Sequence, residues 1–398
     1  MSARYNLLSP ELKANPYPAY ADMRLNAPIC QVDPGGMWGV SRYDDAMQVL
    51  KNPQLFSSRG FGETTNPPWL GGNPFSDSMI AQDPPQHGRL RGLVNRAFGL
   101  SAMARLEPRV RALTEQIVSE IPLGQPVDMV KAYSMRIPAS VIGHMMGLDP
   151  SLHVRLKQWA DLITGGVTTV RPDEPERMQV ARNAVAELRH YFGELLERRR
   201  SEPGDDMVSD LLRARIGGEA LSQDELIAFL ALLLVGGIET TVNLLGSSLA
   251  VLLDRPELLE RLRGDTSLIP PFVEEVLRYE PPVQAVPRMT TEEVELRGVR
   301  LPKGARVLVL LGSANRDETH FPEPDRFDAQ RPGPQNLPFG HGVHFCMGAQ
   351  LARLEGRLGL EVLLKRFSRL ERAPESITWN RTLLQRGPGI LPLVLHPA

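Results

Sequence analysis

The chain has 398 residues, 42% of them apolar, with 45 basic against 47 acidic side chains and a formal net charge of −2. That is ample for a large core, and the charge balance offers nucleic acid no basic surface. Two cysteines, Cys30 and Cys346, exclude a disulfide framework and a zinc cluster, and an unpaired thiol points to a reducing, cytoplasmic compartment. The N-terminal MSARYNLLSPEL has neither a signal-type apolar stretch nor a membrane anchor. No linker, repeat or low-complexity run divides the sequence, so one domain over 1–398 is expected.

Helical spacing dominates the middle and the C-terminal third, while short strand signals fall at 39–40, 294–296, 307–311 and 393–395, predicting a mostly α fold with small β-sheets. Residues 41–44 read as the start of a helix over DAMQVL that Asn52-Pro53 closes. Residues 61–79 and 165–176 are rich in Gly, Pro and Thr and show no clear period. Between them, DPPQHGRLR sets His87 and Arg91 four apart, on one face of a helix begun by Asp83 and Pro84. Two cationic donors on one face suit an anion. Asp149-Pro150 opens another helix over SLHVRL.

A strongly apolar run follows at 223–254, with Ser222 and Glu225 as a capping box and Pro256 as its stop. It predicts one helix of about 32 residues and about 48 Å. Glu239, Thr240, Thr241, Asn243, Ser247 and Ser248 interrupt the run, and no Lys/Arg asymmetry flanks it, so it reads as a core helix and not a membrane span. Thr240 stands four residues after Gly236, within reach of its carbonyl, and the pair Gly236-Gly237 predicts a local opening. In EEVLR, Glu275 and Arg278 stand three apart on a helix that ends before Pro281-Pro282. VPRMTT, holding Arg288, reads as a strand, and PDRF holds Arg326.

FGHGVHFCMG, residues 339–348, puts Cys346 in a loop with three glycines, followed by the helical pattern AQLARLEGRLGLEVLLKRF. Glycines let such a loop fold tightly and aim peptide N–H groups at the sulfur, and a following helix brings its positive end. Those donors favour a thiolate, as does a metal.

The spacing FGxGxHxCxG is identified as the haem-ligand signature of the cytochrome P450 family. The resemblance runs essentially end to end, with the other motifs in the family's order. It implies a soluble bacterial haem-thiolate monooxygenase in which a long central helix lies over heme b (iron protoporphyrin IX) and Cys346 ligates the iron. Sulfur there pushes electron density that favours O–O cleavage. Phe339, His344 and Gly348 belong to the ligand loop. The resemblance assigns His87, Arg91, Arg288 and His344 to the propionates, charges that an apolar pocket would have to meet. Gly236 and Gly237 would host O2, with Glu239 and Thr240 relaying protons, while Glu275, Arg278 and Arg326 would support the cysteine loop.

It further implies a pocket walled by Trp69, Met79, Leu232, Val235, Val283, Gln284, Val286 and Leu384, with Gln284 as a polar donor, over which 61–79 and 165–176 form mobile walls. The substrate would be an apolar small molecule, hydroxylated or epoxidised. No flavin or iron–sulfur motif is present, so electrons would come from a ferredoxin or flavodoxin with an NAD(P)H-dependent reductase, met by Arg89, Arg96, Arg105, Arg109, Arg353 and Arg357. A monomer without membrane or nucleic-acid partners is expected. Two alternatives are a peroxide-driven peroxygenase, whose family members lack the acid-Thr pair present as Glu239-Thr240, and a non-catalytic haem sensor or carrier.

Overall fold

The computed structural model describes residues 5–167, 170, 173–331, 336–380 and 382–398. Helices form most of it, and a six-stranded sheet lies at one side. Its strands run in the order Tyr5–Asn6, Ile29–Asp33, Met37–Val40, Arg306–Val309, Val286–Thr290 and Phe56–Ser57. Arg288 pairs in register with Val307. Val294–Leu296 and Pro392–Pro397 are also strands, so each short strand signal corresponds to a strand.

The helix Gln223–Leu253 is the axis of the molecule. Ser222 Oγ accepts from Glu225 N at 3.2 Å and Glu225 Oε2 accepts from Ser222 N at 2.9 Å, which closes the capping box. It is long and apolar enough to cross a membrane, yet most of it is buried among other helices of this chain. The expected local opening at Gly236-Gly237 is absent, and the helix runs unbroken from Gln223 to Leu253. Buried side chains on either side of the glycines hold the backbone in place, while two glycines alone cost only about 1 kcal/mol each in helix propensity.

Other helix starts differ from their sequence signals. Tyr43–Lys51 has Arg42 at its N-cap with no side-chain bond, and Tyr43 N donates instead to Asp317 Oδ2 at 2.9 Å. Gln86–Val94 begins after Pro85, because Asp83 is engaged elsewhere: its carboxylate accepts from Ser57 Oγ at 2.5 Å and Ser58 N at 2.8 Å. Residues 61–79, which show no period in the sequence, form short turns of helix: Arg59–Thr65, Pro68–Leu70 and Pro74–Asp77. Gly60 lets the first of these lie on the sheet, since a Cβ there would sit 2.6 Å from the Arg288 carbonyl carbon. The second aperiodic segment, 165–176, falls partly outside the described residues.

Candidate active site

The cysteine loop is built from close approaches. Gly342 has φ +72, and a Cβ there would lie 2.5 Å from the Leu50 carbonyl oxygen, so only glycine seats the loop on the helix Tyr43–Lys51. Cys346 N donates to Phe339 O at 2.9 Å, folding the loop back on itself. The helix Ala349–Arg366 then starts with Gly348 as N-cap. Burial pushes the Cys346 thiol up, while the Gly348 N–H and the charges of Arg91 and Arg353 pull it down. Cys346 is accessible, but what it faces is an internal cavity.

That cavity lies between the cysteine loop and the long helix. Gly236, Gly237 and Thr240 form its wall opposite Cys346, and Met79, Leu232, Val235, Val283, Val286 and Leu384 line its apolar part. A Cβ on Gly236 would meet nothing within 4 Å, whereas one on Gly237 would lie 2.4 Å from Ile142 Cδ1. Thr240 Oγ1 donates to Gly236 O at 2.6 Å. Glu239 is 5% exposed and lies behind the cavity lining, not among it. The Gln385 side-chain amide lies against it, and with its nitrogen turned to the acid it would donate to the two carboxylate oxygens at 2.9 and 3.1 Å.

Two expected wall residues lie elsewhere. The turn at Pro68–Leu70 buries Leu70 and leaves Trp69 partly exposed outside the cavity, its carbonyl accepting from Arg182. Val283 and Ala285 line the cavity, so Gln284 between them points the opposite way, as extended backbone requires. Its amide donates to Pro281 O at 2.9 Å. Aromatic side chains that no motif signalled fill the wall instead: Phe61 packs edge-on against Phe75, ring centroids 5.4 Å apart, and Phe98 and Phe229 line the same space.

His87, Arg91, Arg288 and His344 converge on one side of the cavity. His87 and His344 rings lie 4.2 Å apart, and Ser58 Oγ bonds His344 Nε2 at 2.8 Å. Burial drives His344 down to about 2, helped by the charges of Arg288, His87 and Arg91. His87 is also lowered, by burial first and then by Arg91. Arg288 is buried and pushed down to about 10 by loss of hydration, against the pull of Asp83. Arg91 also ties down the loop, donating to Val343 O at 2.9 Å and Phe345 O at 2.8 Å.

Behind the loop, Arg278 grips both Glu275 oxygens at 2.8 Å. It also donates to the carbonyls of Asn315, Pro324 and Arg326. Asn315 Oδ1 accepts from Leu337 N, which carries this support to the start of the cysteine loop. Arg326 does not complete the network with its side chain. Its guanidinium is 58% exposed and pairs with Glu323 and Asp328, acids within three residues that reach it first. Arg331 takes the inner position, 10% exposed, with Nε 3.5 Å from Glu275 Oε1 and its other nitrogens on the carbonyls of Pro322, Glu323 and Arg326. The second arginine in RFDAQRP was the only sequence signal for it.

Half of the six surface arginines are already paired: Arg89 with Glu225 and Glu219, Arg353 with Glu274, Arg357 with Glu107 and Glu361. Arg105 and Arg109 are exposed, and the side chain of Arg96 lies outside the described residues.

The family model for cytochrome P450 matches residues 167–391. Vitamin D(3) 25-hydroxylase of Pseudonocardia autotrophica is 36% identical over 402 residues, covering 99% of this chain and 97% of that protein. Cytochrome P450 CYP109Q5 from Chondromyces apiculatus has a solved structure with TM-score 0.90 and 38% identity, each chain covered in full. CYP109E1 from Bacillus megaterium, solved in complex with testosterone, gives TM-score 0.89 and 33% identity over 97% of this chain and 99% of that one. A cysteine in a glycine-built loop, a long helix across the cavity and end-to-end likeness to P450 hydroxylases lead to one conclusion: the chain belongs to the cytochrome P450 family and is a haem-thiolate monooxygenase.

Proposed function

We propose that residues 1–398 act as one cytoplasmic, monomeric unit that hydroxylates or epoxidises an apolar alicyclic substrate of steroid or terpenoid size, with Cys346 holding the iron of heme b. The observation that carries this is the pairing, across one apolar cavity, of Cys346 with the Gly236-Thr240 face. Bound heme b supplies the iron at which dioxygen is activated and one oxygen atom is passed to the substrate.

The residues present fit that group. Arg288 is buried and donates to its neighbour's carbonyl, Pro287 O at 2.7 Å, with Asp83 as the acid that pulls on it. Two carboxylates entering beside Arg288, Arg91, His87 and His344 would meet a surplus of buried donors. Burial and the neighbouring cations keep His344 neutral in their absence, and the charge of two carboxylates beside it would favour its protonated, doubly donating form.

Each residue then has a task. Cys346, with the Gly348 N–H and Arg91 beside it, keeps the negative charge of a thiolate tolerable. Glu239 supplies protons and Thr240 passes them on at its hydroxyl, now resting on Gly236 O. Glu275, Arg278 and Arg331 keep the cysteine loop in position. Apolar walls exclude water and orient the substrate. Electrons arrive from a ferredoxin or flavodoxin with its reductase, for which Arg105 and Arg109 are the exposed basic candidates. Support for the substrate class comes from the apolar lining and from the relatives that carry vitamin D(3) in their name or testosterone in their structure.

The test is turnover of a steroid and terpenoid panel with NADPH, a surrogate ferredoxin and its reductase, alongside the reduced, CO-treated spectrum. Wild type should oxygenate panel members and show the strongly red-shifted Soret band, and Cys346→Ser should lose both. A serine variant that keeps the band would remove Cys346 as the ligand.

A further inference from the structure

Gln385 is held rigidly at the cavity wall, and its side chain meets the buried acid of the long helix. Its N–H donates to Thr382 Oγ1 and its carbonyl accepts from the same hydroxyl, both at 2.9 Å. It bridges Val283 across an isolated β-pair. On one side, Leu384 O accepts from Gln284 N at 2.8 Å and Ala285 N at 3.3 Å. On the other, Arg386 is buried, lies 4.0 Å over the Trp379 ring, and bonds Lys13 O, Ala14 O and Glu280 Oε2. The charged groups of this turn are thus engaged with one another or with backbone: Lys13 with Thr382 O, Arg386 with Glu280. What the turn presents to Glu239 is a neutral amide on a fixed mount.

An amide is suited to an acid that must change protonation state. A carboxylate only accepts hydrogen bonds, whereas the protonated acid has an O–H to donate. The amide carries donors at nitrogen and an acceptor at oxygen, and half a turn about its last side-chain bond exchanges them. A lysine or arginine in its place would stabilise the ionised acid alone. We propose that Gln385 is a positioning residue for Glu239, holding its carboxyl in one place on the helix whether it carries the proton or has delivered it. The role rests on the reading of Glu239 as the proton source, and it goes beyond the motif that contains Glu239.

The experiment compares haem-loaded wild type with Gln385→Met, Glu239→Gln and the double variant, using a substrate chosen by optical binding titration. Gln385→Met keeps the length of the side chain and removes its polar head. It should load haem and still bind substrate, while product formation at saturating substrate falls about tenfold, the size of one hydrogen bond to a charged group. Its solvent deuterium isotope effect should rise, which a merely structural defect would not cause. In the Glu239→Gln background the methionine change should add nothing, because it acts through the acid. Wild-type turnover in Gln385→Met, or losses that multiply in the double variant, overturns the role of Gln385 alone if Glu239→Gln is slow. Wild-type turnover in Glu239→Gln overturns the proton-source reading and this inference with it. Should the methionine variant not fold, Gln385→Glu keeps the volume and replaces the amide with a second acid. Reduced turnover with retained binding is expected there, and full turnover overturns the proposal.

Discussion

Arg331 and Arg326 lie five positions apart in one loop and have opposite environments. The first is 10% exposed against Glu275, the second 58% exposed against Glu323 and Asp328. Withdrawing a partner from a buried charge costs about 3–5 kcal/mol, while an exposed pair contributes at most about 1 kcal/mol. Arg331→Met should therefore yield protein with low haem content and a depressed melting temperature. Arg326→Met should load haem normally and melt within a few degrees of wild type. Equal losses in both variants would return Arg326 to the buried network. Glu275 and Arg278 were legible because a helix fixes what three residues of separation mean. The third member was not, since a loop brings it in by turning carbonyls toward Arg278. Gln385 had no signal at all, for its contact with Glu239 depends on a turn near the far end of the chain.

At the scale of elements, the long helix was readable from its cap, its length and its polar centre, because each of these is local. The helix Tyr43–Lys51 was readable in extent but not in its cap, since Asp317 reaches its first N–H from a distant segment. The short turns between 59 and 77 have too few residues to show a period, and their place is set by Gly60 against the sheet. Gly236 and Gly237 look equivalent in sequence and are opposite in the fold. A Cβ at Gly237 would strike Ile142, while one at Gly236 enters open space. Gly237→Ala should cost about 1–3 kcal/mol through overpacking, and pairing it with Ile142→Ala should cost less than the two changes summed. Gly236→Ala should stabilise the helix by up to about 1 kcal/mol yet weaken substrate binding by filling the wall beside Thr240. Urea denaturation and optical titration separate these outcomes, and two variants with like effects on stability would contradict the assignment.

At the scale of the whole molecule, a fully buried carboxyl bears on stability. Glu355 lies on the helix Ala349–Arg366, one turn past Leu351 and Ala352, which line the cavity. It is 0% exposed, and neither of its oxygens has a hydrogen-bond partner among the described residues. Burial alone holds it well above the usual carboxylate range, so the folded protein retains a proton that the unfolded chain releases near pH 4.3. Below that pH both states are protonated, and burying this group neutral carries no proton linkage. As the pH rises, unfolding sets a proton free, and stability falls until the folded-state value is reached. Glu355→Gln has nearly the same shape and cannot titrate. Its urea midpoint should exceed that of wild type by a margin that widens between about pH 5 and about pH 8. Haem-loaded protein is the sample to use, with the Soret band and helical circular dichroism followed together. Midpoints that stay parallel across that range would mean that Glu355 is ionised in the fold and has found a partner.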